Sequence, residues 1–93
     1  MIIVSQEKNR IINFDNILQI YITITIDEDD KGCYIQYEDC NNSYEGLGKY
    51  NTIERAKEVL QEIIKSYRYY RTAECDGYTN VLQETAVFEM PKD

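Results

Sequence analysis

A chain of 93 residues with net charge −7, three cysteines and no histidine is one small domain with a limited choice of chemistry. Without histidine it lacks the commonest general base and the commonest transition-metal ligand. Its 17 acids against 10 bases do not suit a phosphate backbone, so direct nucleic-acid binding is not expected. No apolar stretch has the length of a membrane span, and MIIVSQEKNR lacks the basic-then-apolar order of a signal peptide, so a cytoplasmic protein is expected.

Taken in chain order, IIVS (2–5) and IINF (11–14) flank the polar QEKNR and predict a first hairpin. ILQIYITITI (17–26) carries the strongest strand signal, with Leu18, Ile20, Ile22, Ile24 and Ile26 alternating against Gln19, Tyr21, Thr23 and Thr25. CYIQYED (33–39) alternates as well, setting Cys33, Ile35 and Tyr37 on one side. Between these strands lies DEDDKG. Asp27, Asp29, Gly32 and Glu38 match four of five key positions of an EF-hand loop, but Lys31 takes a ligand position and the flanks are strands rather than helices. A hairpin tip is the better reading. A four-residue loop over 29–32 would set Glu28 opposite Cys33, Ile26 opposite Ile35 and Ile24 opposite Tyr37, bringing the apolar faces together.

NNSYEGLGKY (41–50) predicts a turn and a short strand. Its Gly46-Leu47-Gly48 lacks the rest of a phosphate loop and fits close packing or a bulge. NTIERAKEVLQEIIKSYRYYR (51–71) predicts one helix, with Asn51 as N-cap and Glu54 closing a capping box. Ile53, Ala56, Leu60, Ile63 and Tyr67 form its apolar stripe, and Val59, Ile64 and Tyr70 widen it enough for a second contact, expected from another subunit. TAECDGYTN (72–80) reads as a loop with an Asp76-Gly77 turn. VLQETAVFEM (81–90) predicts a last strand with Leu82, Ala86, Phe88 and Met90 on one face, ended by Pro91.

The expected architecture is therefore α+β: an antiparallel meander of about five strands, one long amphipathic helix on one face, and a final C-terminal strand. Leu18, Ile20, Ile22, Ile24, Ile35, Leu60, Ile63 and Phe88 are the expected core. Cys33, Cys40 and Cys75 have no CxxC spacing and are expected as free thiols, a Cys33–Cys40 bridge being the alternative.

Four stretches, MIIVSQEKNRIINFDNI, LGKYNTIERAKEVLQEI, YRYYR and VFEMPKD, resemble a group of short uncharacterised proteins of Gram-positive bacteria and their prophages and mobile elements. The resemblance spans the chain and brings no activity, cofactor or site residue with it. It implies an accessory protein of a phage or mobile element, including one directed against host defence.

Two binding functions follow from the residues. Residues 27–45 hold seven acids and one base, whereas residues 46–72 hold three acids and six bases. An acidic hairpin can dock on a protein with a basic surface, and Asp27, Asp29, Asp30 and Glu38 are its expected contacts. The alternative is an oligomer that sequesters a nucleotide-like molecule, with Tyr67, Arg68, Tyr69 and Arg71 stacking on a base and pairing phosphates. No paired acid and base, activated nucleophile or metal triad is legible, and Cys75 between Glu74 and Asp76 sits in a field that opposes a thiolate. A non-enzymatic protein without cofactor or metal, assembled as a dimer, is the expectation.

Overall fold

The computed structural model of the protein describes residues 1–27, 30–76 and 87–93. β1 (Ile2–Val4) and β2 (Ile11–Asn13) pair antiparallel, with Ile3 opposite Ile12. The turn between them passes through Lys8 at φ 60°, and Ser5 N donates to Arg10 O at 2.9 Å. A 3-10 turn at Phe14–Asn16 then redirects the chain; the Asn13 side chain caps it, accepting from Asp15 N at 3.0 Å.

β3 (Ile17–Asp27), β4 (Asp30–Asp39) and β5 (Tyr44–Tyr50) form an antiparallel meander in the order β3-β4-β5. Its register differs from the expected one by four residues: Ile24 faces Cys33, Ile22 faces Ile35 and Ile20 faces Tyr37. Asp27 pairs with Asp30, so residues 28 and 29 alone connect the strands, in place of a four-residue loop over 29–32. A shift of four, being even, leaves every side chain on its original face, so matching apolar faces cannot distinguish the two registers.

Two bulges shape this sheet. One lies at Leu18, between the pairs Ile17–Asp39 and Gln19–Glu38. It breaks the alternation, so Ile17 joins the core margin and Leu18 is 62% exposed. The other lies at Leu47, between Gln36–Gly46 and Ile35–Gly48. There the extra residue points inward and is buried, so Gly46-Leu47-Gly48 marks a bulge.

α1 (Ile53–Asp76) begins one residue later than expected. Arg55 N donates to Thr52 Oγ1 and Ala56 N to Thr52 O, both at 3.1 Å, which makes Thr52 the N-cap and removes the Asn51–Glu54 capping box. The helix also continues to Asp76, through residues read as a loop. β6 (Val87–Glu89) returns to β1 as a parallel neighbour, with Phe88 opposite Ile3, and Met90 N extends the pairing to Val4 O at 3.0 Å. A parallel partner needs a long crossover rather than a hairpin, and α1 lies within that crossover. The earlier part of the expected last strand, with Leu82 and Ala86, lies outside the described residues.

The architecture is α+β: among the described residues one helix packs against the antiparallel meander β3-β4-β5, and the C-terminal strand completes a second three-stranded sheet, β2-β1-β6, which is mixed. Ala56, Val59 and Ile63 of α1 are buried with Ile35, Leu47 and Tyr50 of the meander and with Met1, Ile3 and Met90 of the smaller sheet. Of the expected core, Ile35 and Ile63 are buried, while Ile20, Ile22, Leu60 and Phe88 pack at its margin. Leu18 and Ile24 are exposed instead. Leu18 is turned out by its bulge. Ile24, on the outermost strand, is 58% exposed although Cys33 and Tyr50 in the same cross-strand row are buried.

Candidate binding surface

The meander ends in a β3–β4 hairpin whose apolar side is only half used. Near the base, Ile20 and Ile22 pack on the core; toward the connection, Ile24 is 58% and Ile26 84% exposed. The same alternation that builds the core thus continues beyond it. Asp27 and Asp30 close the ladder here; their side chains, and all of Glu28 and Asp29, lie outside the described residues.

Glu38 does not share that place. Eight residues of extended β4 separate it from Asp30, about 27 Å at the usual strand rise of about 3.4 Å. The cross-strand row Gln19, Glu38, Tyr44 sets it between two partners. Gln19 Nε2 donates to Glu38 Oε1 at 2.8 Å, and the hydrogen bond to Glu38 and its charge raise the pKa of the Tyr44 hydroxyl. The remaining acids of this segment also have structural tasks. Asp39 Oδ1 accepts from Asn41 N at 2.8 Å and Ser43 N at 3.0 Å, holding a turn with Asn42 at φ 63°. Glu45 pairs with Arg10 at 2.8 Å, an ion pair that raises the Arg10 pKa. The acidic run of the sequence is therefore divided between a sheet, a turn and the hairpin end. A calcium loop over 27–38 is excluded by the same geometry, because residues 30–38 are extended and cannot encircle an ion.

The expected ligand set on α1 does not converge either. Tyr67 packs its ring against Phe14 at 4.5 Å and lies 6.4 Å from Tyr70. At about 100° per residue, Tyr69 points nearly opposite Tyr67, and it is exposed. Arg68 and Arg71 are exposed, and both are engaged in interactions. Tyr67 thus belongs to packing, and the other three are spread over the outer helix surface.

A cleft of about 290 Å³ lies between the 5–10 turn and β5, lined by Gln6, Arg10, Tyr34, Glu45, Gly48 and Lys49 among others. Sequence reasoning missed its central residue, Gln6. The Gln6 side chain mimics a strand: Oε1 accepts from Lys49 N at 2.7 Å and Nε2 donates to Lys49 O at 3.0 Å. Its backbone N donates to Leu47 O at 2.8 Å. Arg10 is neutralised by Glu45, and Lys49 Nζ lies 5.5 Å from the Tyr34 ring centre. These contacts make the cleft a joint between the two sheets.

Cys33 is buried and free, and Cys40 is exposed and free, its Sγ donating to Asn16 O at 3.3 Å. Seven residues along β4 hold them far beyond disulfide reach. Among the described residues, no three His, Cys, Asp or Glu side chains could hold one metal ion, and no helix is long and apolar enough to cross a membrane. No protein-family model, curated protein or solved structure matches this chain, so the hairpin and the cleft are read from their own chemistry.

Proposed function

We propose that this is a non-enzymatic accessory protein of a phage or mobile element, which acts in the cytoplasm by docking the end of the β3–β4 hairpin on a basic surface of a protein, such as a host defence factor. The single observation that carries the reading is the exposed apolar pair Ile24 and Ile26 directly preceding Asp27. An apolar centre rimmed by charge is the anatomy of a protein interface, and acids of one sign beside it would steer a basic partner. The phage setting rests on the resemblance of the four sequence stretches alone.

The test starts with a partner identified by crosslinking in a host lysate and then purified. Its association rate should fall with salt and with Asp29→Asn/Asp30→Asn, while Ile26→Ser should speed dissociation. Glu38→Gln, at the other end of β4, should leave both rates unchanged. If Tyr69→Ala and Arg71→Ala abolish activity while the hairpin variants do nothing, the small-ligand reading replaces this one.

A further inference from the structure

β3 is the outermost strand of the meander, and among the described residues nothing pairs with its second edge. β5, at the opposite margin, is met by Gln6. An open strand edge presents unpaired backbone donors and acceptors, and proteins ordinarily guard one with lysine, proline or a short length. β3 has none of these: it runs for 11 residues without Lys or Pro, and its one irregularity, the Leu18 bulge, lies at the start. Asn16–Ile26 is also the longest uncharged run in a chain of net charge −7. Two copies of so acidic a protein repel each other least along this edge, whereas a charged partner would find nothing there to pair with.

We infer that β3 pairs antiparallel with β3 of a second copy, joining two meanders into one six-stranded sheet. The sequence is self-complementary in this arrangement. Centred on Ile22, the pairing sets Ile20 opposite Ile24 of the second copy, Ile22 opposite its own counterpart, Tyr21 opposite Thr23, and Gln19 opposite Thr25. Apolar residues meet apolar ones on the core side and polar residues meet polar ones on the other, the condition for a defined register. Centring on Tyr21 instead would bring Asp27 against Asp15, a like-charge pair. The exposed Ile24 gains an isoleucine neighbour, which the helix of its own chain does not supply. This places the dimer contact on β3 rather than on the helical stripe, where Val59 is buried and Tyr70 half-buried within the chain itself and Ile64, 42% exposed, is the stripe's remaining open residue among those that widen it. The hairpin ends point away from each other in such a pair.

Sedimentation velocity on the full chain should show a concentration-dependent species of twice the 11.0 kDa chain mass. Tyr21→Lys/Thr23→Lys sets lysine opposite lysine twice by symmetry and should give a monomer; Tyr21→Lys/Thr23→Glu sets lysine opposite glutamate and should restore the dimer. In the unaltered protein, hydrogen exchange at alternate β3 amides should slow as concentration rises. A monomer at all concentrations overturns the inference, as does a dimer that persists in the double-lysine variant. Alternate β3 amides as strongly protected in the double-lysine variant as in the unaltered protein would also overturn it.

Discussion

Gly46 and Gly48 flank one buried leucine, yet a side chain would meet different surroundings at each. A Cβ on Gly48 would lie 3.1 Å from Tyr50 Oη, 3.2 Å from Tyr50 Cε2 and 3.3 Å from Gln6 Cβ, whereas one on Gly46 would meet nothing within 4 Å. Gly48→Ala should therefore destabilise the fold by about 1–3 kcal/mol through overpacking. Gly46→Ala should be neutral or stabilise it by up to about 1 kcal/mol, by restricting the unfolded chain. Urea unfolding of the pair measures the contrast. Tyr50 itself donates its hydroxyl to Pro91 O at 2.8 Å, and burial raises its pKa from 10.0 to about 12. The folded state thus keeps a proton that the unfolded state releases earlier. The associated stability is complete below pH 10 and is lost as pH rises toward 12. Denaturant midpoints measured across that window should fall, and Tyr50→Phe should make the fall shallower.

At the scale of elements, the sequence was most legible where a periodic pattern decides the outcome. The isoleucine alternation of 17–26 located β3, and the helical stripe located α1. It was least legible where two outcomes share one pattern. The β3–β4 register differs by four residues because an even shift keeps Ile20, Ile22 and Ile24 on the same face, and Leu18 left the core because a bulge has no signature in an unbroken alternation. The divided acidic segment could not be foreseen from composition: Asp39 holds a local turn, and Glu38 and Glu45 acquire partners only once distant segments are brought together. Gln6 looked like part of a polar break, and only the fold gives it the role of a strand. Because its side chain also donates to Lys92 O at 2.6 Å, it ties the smaller sheet, β5 and the end of the chain together. Gln6→Ala should cost about 1–2 kcal/mol for three partly exposed hydrogen bonds. Glu7→Ala, an exposed change beside it, should stay within about 0.5 kcal/mol. Chemical denaturation of both variants gives the comparison.

For the molecule as a whole, the principal extents are 50 × 28 × 20 Å and the radius of gyration is 14.0 Å, against about 12 Å for a compact chain of this size. Elongation of this kind lets one end of a small domain act at a distance from the packing that stabilises it. It also grades the stability along the hairpin. Along β3, Ile20 and Ile22 pack against the core, and Ile24 and Ile26 do not. The two described thiols report on opening of the core without any added probe. Cys40 can react with a thiol reagent in the native state, whereas the buried Cys33 becomes reactive only when the core opens. With Cys75 replaced by serine, the ratio of the two modification rates becomes an internal gauge of how often the core opens.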